Sequence, residues 1–198
     1  MKLKKALLVV DVQNDFCPGG KLAVAKGDKI IPAINKCIKI FSAKGLPVFL
    51  TRDWHPEKTA HFKKFGGVWP EHCIQNTKGA EFHPKLKFPK EAIILSKGMD
   101  PGKDSYSAFH AQDHNGREFS LLLRMFGITE IFIAGIATDY CVKFSSLDAL
   151  KEGLKIYVLA DAVKGVDLKP QDSENALKEI SGRGAKLIKS EELAGKLK

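Results

Sequence analysis

Four apolar runs in this 198-residue chain stop at side chains that can do chemistry, and a fifth leads to one. Ala6–Val10 ends at Asp11, Pro47–Leu50 at Thr51-Arg52-Asp53, Ala92–Leu95 at Ser96-Lys97 and Lys155–Leu159 at Asp161. Glu130–Ala134 passes through Gly135-Ile136-Ala137-Thr138-Asp139-Tyr140 to Cys141, where a helix is expected to begin. If the runs are parallel strands, ligands bind beyond their carboxyl ends, and Asp11, Lys97 and Cys141 converge on one edge. A thiol at a helix N-terminus feels the positive end of the dipole, and a neighbouring ammonium lowers its pKa further. Asp11 could then take the thiol proton and later return it to a leaving group, which makes the trio an acyl-transfer apparatus. The plainer alternative is a Cys141 packed on the sheet beside an Asp11–Lys97 ion pair. Spacing alone leaves both readings open.

A second constellation follows the second run. Asp53 and His55 stand two apart on an extended segment, so their side chains point to the same side and can share one ion. Mixed carboxylate and imidazole donors suit Zn²⁺, Fe²⁺ or Mn²⁺. His61 and His72 lie on the same loop and could complete the set, although loop histidines are more often simply solvated and Asp-x-His alone is a weak signal. His83, His110 and His114 have no such partner spacing and read as surface or structural residues. No GxxxxGK[ST] or GxGxxG follows a strand, so nothing supports nucleotide binding.

The elements that must position these groups follow from periodicity. The five runs, with a weaker sixth at Ala185–Ile188, are continuously apolar, as parallel strands buried on both faces are. Between them, Ile30, Ile31, Ile34, Ile38 and Phe41 repeat at helical spacing, with Asp28 as N-cap and Gly45 as stop. Phe119, Leu122, Leu123 and Phe126 repeat likewise before Gly127, then Val142, Ser145, Ala149 and Leu150 before Gly153, then Ala176, Leu177 and Ile180 near Gly182. Strand alternating with helix predicts one α/β domain over residues 1–198: a single doubly wound parallel sheet of about six strands, helices on both faces. Residues 54–91 and 98–115 fit no helix, and long irregular connections are usually functional. The first of them holds both tryptophans and four of the six histidines.

Composition narrows the field. At 44% hydrophobic residues the chain can bury a core, which excludes a disordered or collagenous polypeptide. No apolar run approaches the roughly 20 residues that span a bilayer, and no secretory signal is expected. The formal charge of +9 invites a nucleic-acid reading. Only Arg52, Arg117, Arg124 and Arg183 are guanidinium groups, however, and the lysines are scattered, so a solvated surface and no nucleic-acid partner are expected. Cys17, Cys37, Cys73 and Cys141 lack framework spacing, which predicts free thiols and a cytoplasmic protein. A homo-oligomer is left open, since no segment announces an interface.

Several motifs together resemble one family. Asp11-Val12-Gln13-Asn14-Asp15-Phe16, Asp53-Trp54-His55, Trp69-Pro70-Glu71-His72-Cys73, Ser96-Lys97-Gly98 and Gly135-Ile136-Ala137-Thr138-Asp139-Tyr140-Cys141-Val142 look like the nicotinamidases. These, which include pyrazinamidases, belong to the isochorismatase-like cysteine hydrolases. The resemblance runs in order over about residues 5 to 165. It implies an isochorismatase-like fold and hydrolysis of nicotinamide to nicotinate and ammonia in NAD salvage, with pyrazinamide also accepted. It implies Cys141 as nucleophile, Asp11 as base and acid, and Lys97 as the residue that stabilises the thiolate and holds Asp11. Asp53, His55 and His72 would ligate a divalent metal, Zn²⁺ ahead of Fe²⁺ or Mn²⁺. His61 sits where some members carry a further imidazole ligand and others a different residue. A cis Ile136–Ala137 peptide would turn the Ala137 amide, beside that of Cys141, into an oxyanion hole; Phe16 and Trp69 would flank the pyridine ring, and Ile136 and Ala137 would also contact the substrate. Cys73 reads as packing. The metal loop distinguishes this reading from its alternative, another small-amide or ureide hydrolase on the same frame.

Overall fold

A computed structural model describes residues 4–103 and 105–197; the ends of the expected 1–198 domain and residue 104 lie outside the described residues. Strands β1 (Lys4–Val10), β2 (Val48–Asp53), β3 (Ile93–Lys97), β4 (Ile128–Ile136), β5 (Lys155–Lys164) and β6 (Lys186–Ile188) form one parallel sheet. Their order is β3-β2-β1-β4-β5-β6, which reverses direction between β1 and β4. Helices α1 (Ile31–Ala43), α2 (Phe119–Phe126), α3 (Lys143–Lys151), α4 (Asp172–Gly182) and α5 (Leu193–Lys196) connect or follow the strands.

The continuous apolar runs fold as they do because each strand has two buried faces. On β1, Leu7 and Val9 pack with Ile31, Ile34, Ile38 and Phe41 of α1. Ala6, Leu8 and Val10 turn to the other side, into a second core cluster that includes Phe119 and Leu122 of α2, Ala149 of α3 and Ile180 of α4. Aromatic pairs lock each layer: Phe41 meets Phe132 edge-on at 5.5 Å, and Phe49 meets Phe119 at 5.2 Å. The doubly wound arrangement expected from the alternation of elements is thus present. Among the described residues no helix is long and apolar enough to cross a membrane.

Three local expectations need correction. Asp28 does not cap α1: it lies inside a 3-10 turn, Gly27–Ile30, that feeds the helix. Cys141 does not open an α-helix, because the chain first makes a wide π turn over Thr138–Val142, and α3 begins at Lys143. Such turns are often found at functional sites. Asp161 does not end its strand. β5 bulges after its pairing with β6, rejoins β4 at Gly135↔Val163, and sends Asp161 away to accept hydrogen bonds from the Ser190 N–H (2.8 Å) and Oγ (2.6 Å).

One glycine holds β1 and β4 in the register that the site requires. Gly135 pairs with Val10 at φ +118°, and a Cβ there would lie 2.0 Å from the Val10 carbonyl oxygen. Backbone cannot retreat from backbone in the middle of a sheet. Gly135→Ala is expected to cost about 3 kcal/mol of stability, measured as a shift in the urea unfolding midpoint at constant slope; an unshifted midpoint would show that the sheet relaxes around the methyl group.

Candidate active site

The carboxyl ends of β3, β2, β1 and β4 each deliver one group to the point where the strand order reverses, the usual ligand position in such sheets. Register does the placing. Asp53 pairs with Lys97 across β2 and β3, and Val10 pairs with Gly135 across β1 and β4. Asp11 follows Val10 with a left-handed backbone (φ +46°) that ends the strand. Its Oδ1 accepts a hydrogen bond from Thr51 Oγ1 at 2.7 Å. Lys97 Nζ sits 2.8 Å from Asp11 Oδ2, 3.4 Å from Cys141 Sγ, and in contact with Asp53 Oδ1. The approach to Asp11 Oδ2 is an ion pair without hydrogen-bond alignment, so that oxygen keeps its accepting capacity. All four side chains are buried.

Burial sets the proton positions. Removal from water would lower Lys97, but the carboxylates of Asp11 and Asp53, with Cys141, outweigh it and hold the ammonium charged. Burial raises Asp11 above the usual carboxylate value although Lys97 pulls the other way. It likewise drives the Cys141 thiol well up; Lys97 opposes, while Asp11 and Asp53 reinforce. Lys97 thus lowers the thiol as expected, but burial outweighs it, and Cys141 sits in the turn before α3 instead of at a helix start. At rest the sulfur keeps its proton, and a basic carboxylate stands beside it to receive that proton.

Asp53 serves a second group of atoms through its other oxygen. One ligand atom from each of Asp53, His55 and His72 lies within 4.8 Å of the others. His55 Nε2 and His72 Nε2 are 3.7 Å and 3.9 Å from Asp53 Oδ2. Backbone carbonyls occupy the far side of each ring: His55 Nδ1 donates to Gly98 O at 3.0 Å, and His72 Nδ1 to Pro70 O at 2.7 Å. That tautomer leaves both Nε2 lone pairs facing inward, the arrangement that outer hydrogen bonds give metal-bound histidines. His55 Nε2 is buried with no hydrogen-bond partner. Burial pushes His72 down to about 4, against the pull of Asp53, so its imidazole is neutral and able to ligate. Burial would raise Asp53, but Lys97, then His55 and His72, hold it well below the usual carboxylate range. Two carboxylates facing one ammonium leave a surplus negative charge. A divalent cation fits this donor set on every count. Asp11, Asp53 and Cys141 also lie close together, but Lys97 already supplies the cation there.

The two groups face one small cavity lined by Phe16, Leu22, Asp53, His61, Trp69, His72, Tyr106, Ala137, Tyr140, Cys141 and Val166. Its walls are aromatic. Trp69 Nε1 donates to Tyr106 Oη at 2.9 Å, and the Trp69 and Tyr140 rings meet edge-on at 5.0 Å. A wider hollow between Lys4, Pro47, Ala92 and Phe126 is largely apolar and lies at the opposite ends of the strands. The Ile136–Ala137 peptide is cis. The Ala137 carbonyl accepts from the Tyr140 and Val142 N–H groups, at 3.1 and 3.0 Å, and these bonds bracket the amide of Cys141.

The structure therefore brings Asp11, Lys97, Cys141, Asp53, His55, His72, Phe16, Trp69 and Ala137 together. His61 stands on the same wall, its ring 4.6 Å from that of His55, outside the set of mutually close ligand atoms. Ile136 does not line the cavity; its side chain packs in the core on the α1 side. Cys73 is buried in the same core. Sequence reasoning missed Leu22, Tyr106 and Val166 as walls, since no spacing links them, and Tyr140 although it directly precedes Cys141. It also passed over Gln13 and Asp15 inside a motif it had noted. Gln13 pairs with the backbone of Asp53 in both directions at 2.8 Å, and Asp15 Oδ2 accepts from Cys73 N–H at 2.7 Å, next to His72.

Comparison with known proteins defines the class. A family model described as the isochorismatase domain matches residues 5–192, and the chain belongs to that family. Within it, the chain is 42% identical to the nicotinamidase of Escherichia coli, over 92% of this chain and 93% of that protein. It is 40% identical to the nicotinamidase of Acinetobacter baylyi, over 93% and 92%. The solved structure of a pyrazinamidase of Pyrococcus horikoshii in complex with zinc superposes with a TM-score of 0.87 at 48% identity, over 94% of this chain and 99% of that one.

Gly98 tests the donor set. Its φ is +68°, and a Cβ would fall 2.5 Å from His55 Cε1, against a ring that is buried and cannot move aside. Gly98→Ala is expected to weaken Zn²⁺ binding about 10- to 100-fold, read by competition with a chromogenic chelator. Unchanged affinity would separate His55 from the ion.

Proposed function

We propose that this protein is a metal-dependent nicotinamidase: a single catalytic domain that hydrolyses nicotinamide to nicotinate and ammonia in NAD salvage, in the cytoplasm, and that also accepts pyrazinamide. One observation carries the reading. A buried thiol beside a basic carboxylate and a lysine shares one aromatic-walled cavity with a three-donor cation set. The similarity to nicotinamidases over most of the chain supports it.

In the proposed cycle, Asp11 takes the Cys141 proton as Sγ attacks the carboxamide carbon. Lys97, 3.4 Å from the sulfur, stabilises the developing thiolate. The Ala137 and Cys141 amides receive the carbonyl oxygen as it becomes an oxyanion; losing one such donor typically costs about 100- to 1000-fold in rate. Asp11 then gives its proton to the departing nitrogen, ammonia leaves, and the nicotinoyl group remains on Cys141 as a thioester. With Asp11 ionised again, a water loses its proton to it and attacks the thioester, which frees nicotinate and restores the thiol. Phe16 and Trp69 hold the ring, and burial excludes bulk water from the sulfur. Asp53, His55 and His72 would hold a divalent ion, Zn²⁺ first, which when bound supplies a Lewis-acid anchor for the ring nitrogen and so orients the carboxamide.

Two measurements test this. Cys141→Ala should lower ammonia release from nicotinamide by at least about 10⁴-fold; near-normal turnover by that variant would sink the nucleophile assignment. Asp11 must be ionised to act as base, and its pKa is raised, so activity is lost as pH falls through that raised value. The kcat/KM of the metal-saturated enzyme should therefore fall on the acid side with an apparent pKa above the ordinary ~3.9 of an aspartate. A profile flat down to ordinary carboxylate values would remove Asp11 from the role.

A further inference from the structure

We infer that Asp139 is a positioning residue that limits the size of ring the cavity admits, by clamping the loop after β5 onto the turn that carries Cys141. The inference rests on the amidase reading above. Asp139 lies between Ala137 and Cys141 in the π turn. Its Oδ1 accepts from the Val166 N–H at 2.9 Å and its Oδ2 from the Asp167 N–H at 2.8 Å. Val166 lines the cavity beside Tyr140 and Cys141. The β4–β5 ladder ends at Ile136↔Lys164, so the carboxylate takes over where sheet pairing stops.

The loop it holds is tightly fitted. Gly165 lies so close beneath α4 that a Cβ would fall 1.9 Å from Ser173 Oγ and 2.9 Å from Asp139 Oδ1. Asp167 adopts a left-handed backbone (φ +51°), and its Oδ1 accepts from the Ser173 N–H at 2.7 Å. Hydrogen bonds to a carboxylate are stronger than neutral ones, and two on adjacent amides fix both position and orientation. Without them the two N–H groups lose their acceptor, and Val166 is free to withdraw from the cavity. Asp139 thus acts through Val166 and touches no reacting atom.

The test compares nicotinamide with ring-methylated nicotinamides for the wild type, Asp139→Ala, Asp139→Asn and Val166→Ala. It adds hydrogen exchange at the Val166 and Asp167 amides. Asp139→Ala should raise KM for nicotinamide about tenfold, more than it lowers kcat, and narrow the preference for the unmethylated ring about tenfold. Val166→Ala should narrow that preference likewise. Both amides should exchange faster in Asp139→Ala, and Asp139→Asn, which keeps one acceptor, should fall between. Unchanged exchange, a loss confined to kcat, or a preference that stays as in the wild type would each overturn the inference. If Asp139→Ala does not fold, Asp139→Asn and Val166→Ala decide it by the same criteria. A wild type that leaves nicotinamide intact would overturn the amidase reading instead, a result distinct from any of these.

Discussion

An ammonium group removed from water stays charged only if its partners replace the lost hydration, and the organisation of this protein follows from how Lys97 meets that demand. Its side chain is fully buried, with Asp11 at 2.8 Å, Asp53 in contact and Cys141 at 3.4 Å. Lys97 comes from β3, Asp53 from β2, Asp11 from the end of β1, and Cys141 from the turn after β4. One cation therefore ties together the ends of four adjacent strands. Taking away one member of such a buried set typically costs about 3–5 kcal/mol, because the charge left behind is unpaired. The same electrostatics set the chemistry: the ammonium keeps charge, the thiol keeps its proton, and Asp11 is made more basic by burial.

Asp53 extends this constraint outward. One of its oxygens meets Lys97 and the other faces His55 and His72, so a single carboxylate joins the sulfur's surroundings to the cation set. A shared group of this kind must be held from behind. Gln13 does so by pairing with both backbone groups of Asp53, as a strand neighbour would, beyond the point where β1 has ended. Gly98 and Pro70 do the same for the histidines through their carbonyls. In the proposed reaction these residues would hold an ion that anchors the ring, while the rate depends on the sulfur and the amides around it.

The elements were legible in the chain because a strand buried on both faces must be apolar throughout and a helix on one face must repeat its apolar residues at 3.6. Both patterns are local. Their limits were less so. Asp28 reads as a cap from its type alone, yet a 3-10 turn absorbs it, and the π turn around Cys141 has no periodic signature. The bulge that carries Asp161 away from the site depends on β5 pairing with two neighbours at different registers, which no single run reveals.

Residue types by themselves determined which chemistry was available: a thiol, a carboxylate and an amine at the ends of apolar runs, and an Asp-x-His pair entering a histidine-rich loop. Spacing could bring Asp53 and His55 to one side of an extended chain, since that depends only on backbone geometry. It could not show that Cys141 would be pushed up in pKa, because desolvation is a property of everything packed around the sulfur. Nor could it find Tyr106 or Val166, which reach the cavity from unrelated segments. Proximity and dielectric are created only when the sheet closes, and a linear order of residues carries neither.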